Sequence, residues 1–256
     1  MATIGAETAA PSVLTLETAA LSTWPALRVV HDGHWLWRWA NGYTKRANSL
    51  NFLDPSDGAD AAARLDHAAA LSLRNDIGFV VRSSPLTPPE VLAELDRRGF
   101  EVFEESLMLW RRLDGAAAAA DPDVTIGPAD DPAWLEAQSV LSGYSSQARQ
   151  ALAAILGVYG VPAWGLTLVE DGVPAASALL AIASGVACLT NVVTDPAKRR
   201  RGFAARMLGA AMAKAAREGA SIAAHAVIAT NEPARALYAG TGYRELYRYR
   251  YHRPSC

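Results

Sequence analysis

The chain reads as an α/β (α+β) protein of two consecutive domains. Three observations predict this. Residues 124–256 alternate strand-like and helix-like patterns in the order β-α-β-β-β-α-β-α-β. Residues 114–123 (Asp114-Gly115, the alanines Ala116 to Ala120, Asp121-Pro122-Asp123) form a low-complexity break with Gly and Pro punctuation. Residues 14–113 look like a degenerate copy of residues 124–256. The expected division is a tail over 1–13, a first domain over 14–113, a linker over 114–123 and a second domain over 124–256.

In the first half, His34-Trp35-Leu36-Trp37-Arg38-Trp39 reads as a strand with three tryptophans on one face. They supply either a core face or a substrate wall, with Lys45 and Arg46 nearby to attract an acid; burial is the favoured reading. Pro88 to Arg98 reads as a helix ended by Gly99-Phe100, and Glu101 to Arg111 as a strand. In the second half Val124 to Gly127 is a short strand. Asp131 to about Tyr159 is helical, broken near Gly143. Ala163 to Glu170 is a strand turned by Asp171-Gly172, a hairpin pair, into Val173 to Ala183. Ser184-Gly185 leads to Val186–Val193. A helix from Phe203 to Glu218 carries an apolar stripe of Leu208, Ala211, Met212 and Ala215, and Gly219 stops it. Ser221 to Ile228, Glu232 to Gly240 and Arg244 to Tyr251 are strand, helix and strand. Tyr and Arg alternate along the last, as a half-exposed strand requires.

Composition excludes several functions. A net charge of −2 on 256 residues argues against nucleic acid as a main partner. Two cysteines, Cys188 and Cys256, make neither a disulfide framework nor a metal cluster, so no metal is expected and a reducing cytoplasm is the simplest setting. No stretch approaches the ~20 apolar residues of a membrane span, and Met1 to Val13 shows no signal-peptide pattern. Alanine richness suits a bacterial source.

Two motifs carry the chemistry. The run Thr194-Asp195-Pro196-Ala197-Lys198-Arg199-Arg200-Arg201-Gly202-Phe203-Ala204 links a strand to a helix, whose N-terminus offers free N–H groups and partial positive charge to an anion. It fits neither a Walker loop nor G-x-G-x-x-G. Downstream, Asn231-Glu232-Pro233-Ala234-Arg235-Ala236-Leu237-Tyr238-Ala239-Gly240-Thr241-Gly242-Tyr243 reads as a short helix with Asn231 as N-cap and Pro233 in the first turn. By itself Tyr238 reads as a packed aromatic on an amphipathic helix.

Together these runs resemble the Arg/Gln-x-x-Gly-x-Gly/Ala loop and the Asn-x-x-Ala-x-x-Leu-Tyr-x-x-x-Gly-Phe/Tyr signature of the GNAT superfamily of acyl-CoA-dependent acyltransferases. The resemblance implies that each domain is a mixed, mostly antiparallel sheet flanked by helices, with a splayed-strand acyl-CoA site in the second. The first half parallels the second: Asn48 to Pro55 matches Leu189 to Pro196, and Leu95 stands where Tyr238 does. After Asp54-Pro55 it has acidic Ser56-Asp57-Gly58-Ala59-Asp60, which repels phosphate. The expectation is a degenerate GNAT-like domain without cofactor, an unrelated α/β domain being the alternative.

The resemblance further implies that the loop amides of Arg200 to Ala205, beside Arg199, hold a pyrophosphate. The backbone of Val192, Val193 and Thr194 pairs with pantetheine, Asn231 bonds the pantetheine arm, and Tyr238 protonates the departing thiolate. The cofactor set is therefore Val192, Val193, Thr194, Arg199, Arg200, Arg201, Gly202, Phe203, Ala204, Ala205 and Asn231. The expected activity is acetyl transfer from acetyl-CoA to a primary amine of a small molecule, amino acid or peptide by direct attack, in a monomer or homodimer. A non-catalytic acyl-CoA sensor and a longer acyl donor are the alternatives. The superfamily's basic Glu is replaced by Ala226. His225, Glu136, Tyr144, Glu170 or a water chain are the candidate substitutes, with a structural role favoured for His225. Cys188 reads as a buried strand residue rather than an acyl-enzyme nucleophile.

Overall fold

The computed structural model describes residues 9–113 and 121–255. Most of the expected tail and of the 114–123 linker lies outside the described residues. Among the described residues, seven α-helices and eleven strands follow in chain order: α1 Val13–Ser22, β1 Arg28–Asp32, β2 Trp35–Trp39, β3 Leu50–Phe52, α2 Ala61–Arg74, β4 Val81–Ser83, α3 Pro89–Arg97, β5 Phe100–Arg112, then β6 Val124–Pro128, α4 Pro132–Ser142, α5 Ser146–Leu156, β7 Ala163–Glu170, β8 Val173–Ala183, β9 Val186–Thr194, α6 Phe203–Arg217, β10 Ile222–Ile228, α7 Glu232–Gly240 and β11 Arg244–Pro254. Asp171-Gly172 and Ser184-Gly185 take positive φ throughout, the primed turn geometry that matches strand twist. Gly143, left-handed at φ 64°, separates α4 from α5.

All strands join one sheet in the order β1-β2-β3-β4-β11-β5-β10-β9-β8-β7-β6. Only β3·β4 and β9·β10 are parallel, so the sheet is mixed and mostly antiparallel. The run β1-β2-β3-α2-β4-α3-β5 repeats as β7-β8-β9-α6-β10-α7-β11 with the same pairing senses. The halves exchange their last strands. β5 lies against β10, with Ile222 opposite Arg112 and Ile228 opposite Ser106. β11 lies against β4, with Arg250 opposite Ser83. β5 and β11 then pair with each other at the centre.

Period-two alternation explains both exchanged strands. Tyr247, Tyr249 and Tyr251 bury one face of β11, while Arg248 and Arg250 on the other reach Glu105 of β5. Along β5, Leu107 and Leu109 enter the core of the second half, and Met108 faces the tyrosines and α1. In the first half, Trp35 and Trp37 are buried with Leu50, Phe52, Leu65 and Leu95. Their indole nitrogens donate to Asp57 O and Ser72 Oγ. This strand therefore builds core. α6 lays Phe203, Met207, Leu208 and Ala211 on β7, β8 and β9.

The first helix, α1, packs on β8 and β9 of the second half. It buries Glu17, which pairs bidentately with Arg82 of β4 at 2.5 and 2.9 Å and accepts from Tyr247 of β11 at 2.5 Å. Among the described residues no helix is long and apolar enough to cross a membrane.

Candidate active site

β9 and β10 pair only from Val186 to Cys188 and Ile222 to Ala224. Past that point β10 follows β5, while β9 follows β8, and the sheet opens between them. A bulge drives the divergence. Two steps on β8, Ser177 to Leu179, span three on β9, Val193 to Thr190, and Asn191 takes φ 53° to absorb the extra residue. The open edge of β9, Leu189 to Thr194, then lines a cleft of about 1200 Å³.

The loop after β9 closes one end. The Asp195 carboxylate accepts from Ala197 N at 2.9 Å, holding a 3-10 turn at Pro196–Lys198. Arg200 and Gly202 are left-handed, at φ 65° and 82°, and α6 begins at Phe203 with no acidic side chain in its first turn. Turns of this kind gather amides into anion-binding concavities, and the helix dipole adds to them. The three arginines differ. Arg199 and Arg200 line the cleft. Arg201 does not: its guanidinium is bidentate to Glu170 at 2.5 and 2.8 Å and lies over Phe203. Of the expected cofactor set, Val192, Val193, Thr194, Arg199, Arg200, Gly202, Phe203, Ala204, Ala205 and Asn231 line this one cleft, and the Arg201 side chain is held away from it.

Asn231 caps α7 as expected, its side chain accepting from Ala234 N at 3.2 Å. Pro233 sits in the first turn. Tyr238 is 2% exposed yet lines the cleft. Its ring lies 4.1 Å from that of His225 and edge-on to Tyr243. Burial, and then Tyr243, push its phenol well above the ordinary tyrosine range, so it remains a proton donor.

His225 faces the cleft rather than away from it. Burial, then the charge of Arg46, lower its imidazole to about 3, and its Nδ1 has no hydrogen-bond partner. Such a group stays neutral and is a weak proton acceptor, which removes the physical argument for it as base. Glu136 pairs with Arg149, both largely exposed, and Glu170 is held by Arg201 and Lys198; neither lines the cleft. Tyr144 sits beside it, with Val192, Val193 and Arg199. Burial raises the Cys188 thiol to about 11, so it stays protonated, as a structural strand residue would.

The cleft also contains residues that the motifs do not mark: Thr44, Lys45 and Arg46 from the first half, and Glu104, Ser106, Tyr249 and Tyr251 from the exchanged strands β5 and β11. Glu104 is the one carboxylate lining the cleft among the described residues, and it pairs with Lys45 at 2.8 Å. The segment Gly42 to Asn48 held the available signal, as a polar basic run after the tryptophans.

A divergent parallel strand pair, a basic loop leading into a helix and a buried tyrosine opposite define an acetyltransferase of the GNAT superfamily. The chain belongs to the family described as "Probable histone acetyltransferase Rv0428c C-terminal", whose model matches residues 11–252. It is similar in structure to a GCN5-related N-acetyltransferase from Kribbella flavida, with 19% identity, 97% of each chain covered and a TM-score of 0.70. A putative acetyltransferase of the GNAT family from Novosphingobium aromaticivorans is similar too, with 21% identity, coverage of 89% of this chain and 92% of that one, and a TM-score of 0.58. A tandem GNAT protein from the clavulanic acid biosynthesis pathway matches at 17% identity, over 79% of this chain and 72% of that one, with a TM-score of 0.59. At these identities the three structures show a common fold. Among curated proteins no relative matches the sequence.

Proposed function

We propose that the protein is an N-acetyltransferase that moves the acetyl group of acetyl-CoA to a primary amine of a small molecule, amino acid or peptide by direct attack. One observation carries the reading: the open β9 edge, the left-handed loop before α6 and the Tyr238 hydroxyl line a single cleft. The residues fit the donor. A Cβ built on Gly202 meets no protein atom within 4 Å, so the backbone there is open to a ligand, and Arg199 and Arg200 supply positive charge. The amides of Arg200 to Ala205 would hold the pyrophosphate. The free edge of Val192 to Thr194 would pair with the pantetheine arm as an added strand, and Asn231 would bond it.

Bound acetyl-CoA supplies an activated thioester. Tyr238 would donate its proton to the departing sulfur as the C–S bond of the donor is exchanged for the new C–N bond of the acceptor. The proton lost by the amine would pass to solvent, with Glu104, paired with Lys45, the one carboxylate lining the cleft among the described residues. Cys188, protonated and buried, takes no part, consistent with direct attack. The description of the matched family names a histone, which keeps a peptide amine among the acceptor classes.

A second reading, a non-catalytic acyl-CoA sensor, is favoured by Ala226 and by the low basicity of His225. Thiol release from acetyl-CoA over a panel of amines, amino acids and peptides, with calorimetry of CoA binding, separates the two. Tight CoA binding without transfer to any amine supports the sensor. Absence of CoA binding refutes both.

A further inference from the structure

Behind the cleft, between α1, β3 and β9, lies a chamber of about 30 Å³. It shares Arg46, Leu189, Thr190, His225, Ala226 and Tyr249 with the cleft, so the two adjoin across these side chains. At about 10–15 Å³ per water-sized site, the chamber holds roughly two or three heavy atoms. It takes one end of a molecule whose remainder lies in the cleft.

The lining is cationic. Arg82 is neutralised by Glu17. Arg38 is not: it is 3% exposed and donates only to the backbone carbonyls of Arg46, Leu21 and Trp24. Burial, then the neighbouring Arg82, lower it to about 10. Arg46 lies 4.9 Å over the ring of Trp24. Among the described residues its guanidinium has no hydrogen-bond or ion-pair acceptor. Three chamber-lining side chains at most 9% exposed also carry unpartnered polar atoms: Asn51 Oδ1, Thr190 Oγ1 and His225 Nδ1. Buried polar atoms are normally paired, so this concentration marks a place where a ligand or water completes the set.

Building on the acetyltransferase reading, we infer that the acceptor carries a carboxylate, which Arg46 holds where the cleft meets this chamber. A carboxylate is three heavy atoms, planar and anionic. It fits the volume and matches the guanidinium fork. The Thr190 hydroxyl is a donor on the same lining, and Asn51 Oδ1 takes a donor from water. The amine at the other end of the acceptor then extends into the cleft lined by Tyr238. Amino acids and other short amine-acids are the substrate class. A free amine without an acid leaves the surplus charge of Arg38 and Arg46 unanswered.

The test uses the full chain. N-Acetylglycine and N-acetylphenylalanine, with N-methylacetamide and N-acetylphenethylamine as carboxylate-free matches, are titrated by calorimetry with and without CoA. Thiol release from acetyl-CoA is measured for glycine against methylamine and phenylalanine against phenethylamine. The acids are expected to bind at least tenfold tighter than their matches, and the amino acids to show the higher kcat/KM. Arg46→Gln abolishes the preference through KM, Arg46→Lys keeps part of it, and both retain the wild-type melting temperature and CoA affinity. Equal binding of acid and match, no binding of either acid, or a preference that survives in Arg46→Gln overturns the inference. CoA binding without acid preference sinks this inference alone. Absence of CoA binding sinks the proposed function, and the titration of free protein still decides the carboxylate site.

Discussion

Gly202 offers the sharpest perturbation, because its effects on folding and on binding separate. Its φ of 82° is left-handed, and no protein atom lies within 4 Å of a Cβ placed there. Replacement therefore costs conformational strain but no clash within the protein. A left-handed residue other than glycine costs about 1–2 kcal/mol. For a chain of this size that lowers Tm by about 2–8 °C. Gly202→Ala and Gly202→Glu should share this loss, because they share the backbone strain. Binding should divide them. A carboxylate about 5 Å from a phosphate repels it by roughly 1–3 kcal/mol at effective dielectrics between 80 and 20. That weakens CoA by about 5- to 150-fold. The alanine variant should lie between wild type and glutamate, since it hinders backbone approach without adding charge. Raising salt should narrow the gap for glutamate. Calorimetric titration with CoA, beside melting curves, reads both quantities. Wild-type CoA affinity in Gly202→Glu would refute the placement of phosphate at this loop.

The same structure sets three further outcomes. Tyr238→Phe should lower kcat at least tenfold with CoA affinity within twofold, since a general acid contributes about 10²–10⁴ in rate; an unaltered turnover in steady-state assays returns Tyr238 to packing. Between pH 6.5 and about 3 the unfolded chain protonates its histidine while buried His225 stays neutral, so stability falls as pH drops through that window. His225→Gln should flatten this part of the pH dependence in denaturant melts, and an unchanged slope would contradict the burial argument. Glu17→Ala leaves Arg82 buried without its partner, which costs about 3–5 kcal/mol. Calorimetry should show a Tm lower by about 6–20 °C, and a loss under 2 °C would mean that the network is not what joins α1 to β4 and β11.

Local signals carried much of this fold into the sequence. The Asp-Gly turn, Gly143, the Asn231 cap and the Tyr/Arg alternation of β11 each act within a few residues, and each appears where its chemistry places it. The lining of the cleft was legible for the same reason, since the loop before α6 and the α7 run are short segments. The strand exchange was not. β5 and β11 carry the same alternation whichever half they complete, and only long-range pairing decides. Nor could spacing show that Glu17 meets Arg82, 65 residues away, or that the Thr44-Lys45-Arg46 segment enters the cleft. Of three adjacent arginines, Arg201 alone turns to Glu170, a choice made by tertiary contact. His225 was visible as a titratable residue, but its environment, not its identity, sets its basicity.

The proposed function requires acyl-CoA to occupy the opening between β9 and β10. A crystal structure of the protein with acetyl-CoA tests it most directly. Density is expected for the pantetheine arm along Val192 to Thr194, for pyrophosphate at the amides from Arg200 to Ala205, and for the thioester sulfur beside Tyr238. Density for the donor elsewhere, or a closed β9–β10 edge with the donor absent at saturating concentration, would contradict it.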